Sequence, residues 1–257
     1  MHFPELLNNV EKLQSLLLDI RSDINPPQTT LDVECKIGYK TVWFHCLFVR
    51  LTDQRQNNRS PQQEQLVEVI LHDVTERAER EFQTQFEADH DPLTDLFNRR
   101  AGEKRLKKAL RECAKHGQHL VLMMIDLDKF KPINDTYGHE AGDKVLIEIA
   151  NRFKKRFNNN TDICIRLGGD EFIIAQQINT YDKTATQNQA IALIDELQQD
   201  ISISQTKKCA VGASIGIAVA PNDGNELLEL MFNADQMLYQ VKETGRGNVA
   251  FYDELKK

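Results

Sequence analysis

The sequence predicts an α+β fold: a mixed, largely antiparallel sheet flanked by helices, preceded by a small α/β part and a helical linker. Three observations carry this expectation. Four segments after residue 91 repeat apolar residues at helical spacing, and five β-rich runs alternate with them. Two of those runs are separated by a turn at Gly168-Gly169, a hairpin signal that implies antiparallel pairing. The 257 residues, 40% apolar and 28% charged, suffice for two domains and exclude collagen-like, disordered and disulfide-scaffold chains.

In chain order, Leu6, Leu7, Val10, Leu13, Leu17 and Ile20 form a helical pattern that stops before Pro26-Pro27. Thr41 to Leu51 and Leu66 to Leu71 read as strands, and the polar stretch Asp53 to Gln65, with Pro61, reads as a long hairpin loop. Asp73 can cap a helix, and Val74, Ala78, Phe82 and Phe86 place an apolar stripe on one face of it. Residues 73–90 are therefore expected to be a helical linker between a part over 1–72 and a domain over 91–257. The stripe suits a partner helix or the linker's own domain equally well. Further on, Leu106, Leu110 and Cys113 mark a helix, and Leu120 to Ile125 a buried strand. Val145, Leu146, Ile149, Phe153 and Phe157 mark a second helix. Asp162 to Leu167 and Glu171 to Ile178 form the hairpin. Ala190, Ile194, Leu197 and Ile201 mark a third helix, and Val211 to Ala220 a strand. Leu227, Met231, Ala234, Leu238 and Val241 mark the last helix, and Val249 to Tyr252 the last strand.

Net charge is −7 and evenly spread, so no basic nucleic-acid-binding module is expected. The longest apolar run, Leu120 to Ile125, is far short of the roughly 20 residues of a membrane span, and no signal peptide is visible. Five scattered cysteines without a CxxC pair fit reduced thiols in a cytoplasm and argue against zinc.

Four motifs carry candidate chemistry. Asp126-Leu127-Asp128 closes a buried strand, where carboxylates reach a hard cation or simply meet solvent. Asp170 and Glu171 follow the Gly-Gly turn, and acids are depleted in strands. Lys242 and Arg246 lie four apart near a helix end and would share a helix face, as a phosphate clamp or as complements to the helix dipole. Phe130 to Asp135, then Gly138-His139 and Gly142-Asp143, read as a loop into the next helix. There Asn134 and Asp143 could read a base edge or merely cap and turn the chain.

The order and spacing of Asp91-Pro92-Leu93-Thr94, Ile125-Asp126-Leu127-Asp128-Lys129-Phe130-Lys131, Asn134-Asp135, Gly142-Asp143, Gly168-Gly169-Asp170-Glu171-Phe172 and Lys242 to Arg246 resemble the GGDEF-domain diguanylate cyclases over about residues 88–257. The resemblance implies a fold related to nucleotidyl cyclase and polymerase palm domains. It implies condensation of two GTP into cyclic di-GMP with release of two pyrophosphates, in a cytoplasmic homodimer. A catalytically silent GTP-binding regulatory module is the alternative. The resemblance also implies Mg²⁺ (or Mn²⁺) on Asp126, the Leu127 carbonyl, Asp170 and Glu171, with Asp170 or Glu171 helping to deprotonate the attacking 3′-hydroxyl. By the same resemblance Asn134 and Asp143 bind guanine, while the backbone around Lys129, Phe130 and Lys131, with Lys242 and Arg246, holds the triphosphate. The family's Arg-x-x-Asp product-inhibition motif reads Asn159-Asn160-Thr161-Asp162 here, so that site is expected not to function. The runs ending at Asp73-Val74-Thr75-Glu76 resemble the last strands of a PAS sensory domain, shorter than usual, with no sensory cofactor identifiable. Trp43, His45 and Cys46 are read as core packing in preference to ligand contacts.

Overall fold

The computed structural model describes residues 28–37, 39–51 and 66–253. The helix expected over Leu6 to Ile20 and the loop Asp53 to Gln65 lie outside the described residues. The chain divides into two compact units between Gln85 and Phe86.

In the first unit, β1 (Gln28–Ile37), β2 (Lys40–Leu51) and β3 (Leu66–Asp73) form an antiparallel sheet in sequential order. Strand β1 was not anticipated, although Leu31, Val33, Cys35 and Ile37 alternate with polar residues as a half-buried strand requires. Val33, Cys35, Cys46 and Phe48 are buried together on one face. Asp32, His45 and His72 form a cross-strand row on the other. The Asp73 carboxylate accepts the Thr75 N–H (2.9 Å) and hydroxyl (2.6 Å), which starts helix α1 (Thr75–Asp89). No residue of α1 is buried.

The second unit contains, in order, β4 (Phe97–Asn98), α2 (Arg99–His116), β5 (His119–Asp128), α3 (Phe130–Tyr137), α4 (His139–Arg156), β6 (Ile163–Gly168), β7 (Glu171–Ile178) and α5 (Lys183–Leu197). A two-stranded ribbon, β8 (Ile201–Ser202) with β9 (Lys208–Cys209), precedes β10 (Gly212–Ala220), α6 (Leu227–Glu243) and β11 (Val249–Phe251). The six-stranded sheet runs β11-β10-β5-β7-β6-β4. It is antiparallel through its centre and parallel at its two outer pairs, β10–β11 and β4–β6. That is the mixed, largely antiparallel sheet the sequence predicts.

Alternation sorts the central strands between two cores. Val121, Met123, Ile125 and Leu127 of β5 pack with α3, α4 and α5. Leu120, Leu122 and Met124 pack with α2 and α6. Helix α6 lies unusually close to the sheet because β10 carries Gly216 beneath it. A Cβ there would stand 2.0 Å from the Ala234 carbonyl oxygen and 2.3 Å from the Leu238 nitrogen.

Four local expectations need correction. The segment Phe130 to Asp135 is helix α3 rather than loop, because Pro132 occupies a first-turn position whose N–H has no intrahelical acceptor to lose. Ile201 belongs to β8, not to the third helix. That helix ends at Leu197, where the Arg152 guanidinium donates to the carbonyls of Glu196 (2.8 Å), Leu197 (3.1 Å) and Gln199 (3.0 Å). Gly168 still pairs with Glu171, so the hairpin turn is Gly169-Asp170 and Asp170 sits on the turn itself. Lys242 and Arg246 do not share a helix face. Helix α6 stops at Glu243, Gly245 and Arg246 take positive φ (123° and 65°), and the Arg246 N–H returns to the Val241 carbonyl at 3.0 Å.

Candidate active site

Asp126 continues the row Leu120, Leu122, Met124 past the end of the α2–α6 core, so its carboxylate emerges where apolar cover stops. Glu171 is its direct cross-strand partner on β7, and Ser214 its partner on β10. Residues directly opposite in antiparallel strands project to the same side, which puts the exposed Glu171 beside Asp126. The Leu127 N–H donates to the Asp170 carbonyl at 3.1 Å, tying the turn to the end of β5. Lys242, one helical turn beyond Leu238, reaches Asp126 with its ammonium 2.6 Å from Oδ2. Gly216 makes that reach possible by letting α6 settle onto β10.

The hairpin is anchored from behind. The Arg166 guanidinium, 11% exposed, donates to the Gly169 carbonyl through Nε (3.1 Å) and Nη2 (2.9 Å) and to Asp91 Oδ1 through Nη1 (2.9 Å). Asp91 also accepts the Thr94 N–H (3.0 Å) and hydroxyl (2.7 Å). Burial lifts the Asp91 carboxyl, but the bonds from Thr94 and Arg166 outweigh it and hold the group below its usual value.

Asp126 is shifted the other way. Burial raises its carboxyl, the Lys242 ammonium pulls it down, and the charges of Asp170 and Asp128 add to the rise. Among the described residues no three His, Cys, Asp or Glu side chains close into a metal cage. The donors present suit a different ion, one held by one or two carboxylates and completed by water and substrate phosphate. Asp126 and Asp170, with backbone carbonyls between them, are hard oxygen donors in a negative, half-buried place that a cation relieves.

The other predicted residues form a separate group. Lys129 has positive φ (60°) immediately after β5, and Phe130 is buried at the start of α3. Asn134 lies against Gly142, where a Cβ would come 1.9 Å from its Oδ1, so the amide sits next to exposed Asp143. Lys129, Lys131, Asn134 and Asp143 share no hydrogen bond or ion pair with the Asp126 cluster. Asp162 accepts from the Asn159 N–H (3.2 Å) and Nδ2 (3.1 Å) and from Gln176 Nε2 (3.3 Å), so it closes its own loop. Sequence reasoning assigned no role to Arg166, Ser214 or Gly216. It quoted Asp128 without one, although two-residue spacing from Asp126 already puts both acids on one face.

The sequence profile described as "Diguanylate cyclase, GGDEF domain" matches residues 88–248. The bifunctional diguanylate cyclase/cyclic di-GMP phosphodiesterase MucR of Pseudomonas aeruginosa is 38% identical over 164 residues, which are 64% of this chain and 23% of MucR. The chain thus spans about a quarter of that relative's length. The GGDEF domain of TpbB (YfiN) from Pseudomonas aeruginosa superposes with a TM-score of 0.60 at 34% identity, covering 65% of this chain and 99% of that one. The coiled coil and GGDEF domain of DgcB from Caulobacter crescentus, in complex with c-di-GMP, gives a TM-score of 0.62 at 26% identity, covering 69% and 93%. Among the described residues no helix is long and apolar enough to cross a membrane. With the site at the ends of β5 and β7 and a profile match across most of the second unit, the chain belongs to the GGDEF-domain diguanylate cyclase family.

Proposed function

We propose that this chain is a diguanylate cyclase that condenses two GTP into cyclic di-GMP and two pyrophosphates, acting in bacterial second-messenger signalling in the cytoplasm. The observation that carries the reading is the meeting of Asp126, Asp170, Glu171 and Lys242 at one end of the sheet. Phosphoryl transfer is mostly positioning and charge neutralisation, and these groups supply both. Asp126 and Asp170, with the Leu127 carbonyl and Glu171, would hold Mg²⁺ (or Mn²⁺). When bound, such an ion would neutralise charge on the triphosphate oxygens and on the oxygens of the phosphoryl group being transferred. Glu171, exposed beside Asp126, takes the proton of the attacking 3′-hydroxyl as the O3′–phosphorus bond forms and pyrophosphate leaves. Lys242, the backbone at Lys129 to Lys131, and Arg246 hold the triphosphate. Asn134 and Asp143 offer an amide and a carboxylate to the guanine edge.

Each copy of the second unit holds one GTP, so two copies must face each other for both bonds to form. Helix α1, none of whose residues is buried and whose Phe82 is 72% exposed, is the candidate seam. The three-stranded sheet, ending in Asp73-Val74-Thr75-Glu76, is proposed as a PAS-like input part. Product inhibition through Asp162 is expected to be weak, since Asn159 offers no guanidinium and Asp162 is already bonded locally.

Incubating the purified chain with GTP and Mg²⁺ and separating the products by chromatography tests the assignment. Cyclic di-GMP should accumulate with two pyrophosphates per product. Recovery of bound but unreacted GTP would leave the silent GTP-binding module instead.

A further inference from the structure

The two acids of β5 each face one cation of the α6 terminus and the turn after it, Lys242 and Arg246. Asp126 takes Lys242, as described. Asp128, 7% exposed, takes the turn that carries Arg246. Its Oδ1 accepts the Ser214 hydroxyl at 2.7 Å and stands 3.9 Å from Arg246 Nε. Its Oδ2 accepts the Gly247 N–H at 3.0 Å, and that N–H also approaches Ser214 Oγ at 3.3 Å. Ser214 is itself fully buried, and β10 offers Gly212 opposite Asp128, leaving room for the carboxylate.

The turn needs such a tether. Gly245, Arg246 and Gly247 all have positive φ (123°, 65° and 62°), and Arg246 has a side chain that disfavours this conformation. Three backbone bonds hold the segment: Arg246 N–H to the Val241 carbonyl at 3.0 Å, Gly247 N–H to Asp128, and Ile215 N–H to the Asn248 carbonyl at 3.0 Å. Of these three, the bond to Asp128 is the one that brings a charge beside the guanidinium.

We propose that Asp128 is a positioning residue: it fixes the left-handed turn at Arg246 and so aims the guanidinium at the substrate phosphates, without itself touching substrate or metal. The inference rests on the reading of Arg246 as a phosphate contact, and it divides the labour of the Asp126-Leu127-Asp128 motif between a site residue and a support.

The test is a double-mutant cycle on the full chain, read as GTP affinity by titration calorimetry in the presence of Mg²⁺. Asp128→Asn keeps the volume but removes the charge, and Arg246→Ala removes the group it aims. Each single variant should weaken GTP binding about tenfold, the loss of one charge-assisted contact. The double variant should bind as Arg246→Ala does, because a tether has nothing left to position. Ser214→Ala, which leaves the Gly247 bond in place, should lose about threefold. In turnover, Asp128→Asn should raise KM with kcat nearly kept. Additive losses in the cycle, or unchanged affinity in Asp128→Asn, would overturn the proposal. A wild type that binds GTP without making cyclic di-GMP would overturn the cyclase reading alone, since the cycle is read in binding.

Discussion

In the first unit the described sheet buries one small cluster, Val33, Cys35, Cys46 and Phe48, and its opposite face carries polar groups along its length, such as the Asp32–His45 pair at 2.5 Å. In the second unit the central strands are covered on both faces, by α3, α4 and α5 on one side and by α2 and α6 on the other. The difference decides what a polar strand residue means. Among the described residues of the first sheet, alternation by itself accounts for Asp32, His45 and His72, which pair across the strands. On a two-sided sheet, a carboxylate sits where cover ends, as Asp126 and Glu171 do, or takes buried partners, as Asp128 does. Asp126, Asp128 and Glu171 are therefore confined to one rim, and their nearness to one another follows from the layers rather than from their spacing.

The strongest way to break this contrast is Gly216→Val. The new side chain would meet backbone atoms of α6, and the helix would have to move off the sheet. We expect destabilisation of about 3 kcal/mol or more in chemical unfolding, with loss of cyclase activity. The first unit's residues have no part in that contact, so a melting signal from its Trp43 should shift less than one from the second unit.

Asp126→Asn and Glu171→Ala should each lower synthesis by about 10³-fold with little loss of fold. Both act at the rim, and Glu171 is exposed, so its removal should change stability by no more than about 0.5 kcal/mol in the same unfolding assay. Lys242→Ala should mainly raise KM for GTP, about tenfold. Near-normal turnover in Glu171→Ala would remove the acids from the mechanism.

Acid stability sharpens the comparison from the other side. The Asp91 carboxyl is held below its usual value, and such a group contributes stability above its unfolded pKa, about 4. That contribution is lost as the pH falls through the lowered folded value. The melting temperature of the wild type should therefore decline on acidification below about pH 5. In Asp91→Asn the decline should be shallower, from a lower starting point at neutral pH. Parallel curves for the two proteins would show that the Arg166–Asp91 anchor carries no pH-linked stability.

The smallest effect is expected in the linker. Introducing charge with Ala78→Glu and Phe82→Glu should leave the melting temperature within about 2 °C, since no residue of α1 is buried. Activity per molecule should nevertheless fall, most clearly on dilution, if α1 is the dimer seam. A variant that matched wild type at all concentrations would place the seam elsewhere.

Much of the second unit was legible in the sequence because its signals are local. Helical periodicity marked α2, α4, α5 and α6, and apolar runs marked β5 and β10, since two-sided burial leaves no other reading for Leu120 to Ile125. The errors are local too. Pro132 reads as a helix breaker unless its first-turn position is known, and the pairing of Gly168 with Glu171, which moves Asp170 onto the turn, depends on a bulge at Arg166 that spacing cannot show. In the first unit the weak alternation of β1 went unread because a half-buried strand resembles polar loop in composition.

By itself the sequence determined the order of the main helices and strands of the second unit, the mixed sheet and the identity of the acids and cations that make up the candidate site, since periodicity and motif spacing are properties of the chain. The tertiary structure alone decided how those groups are paired. Lys242 meets Asp126 because Gly216 lets α6 lie against β10, and the Arg246 turn hangs on Asp128 because β10 and β5 bring Ser214 and Asp128 into one buried hydrogen-bonded group. Such pairings depend on close approaches between residues tens of positions apart, and spacing along one strand or helix carries no record of which distant backbone will lie across it.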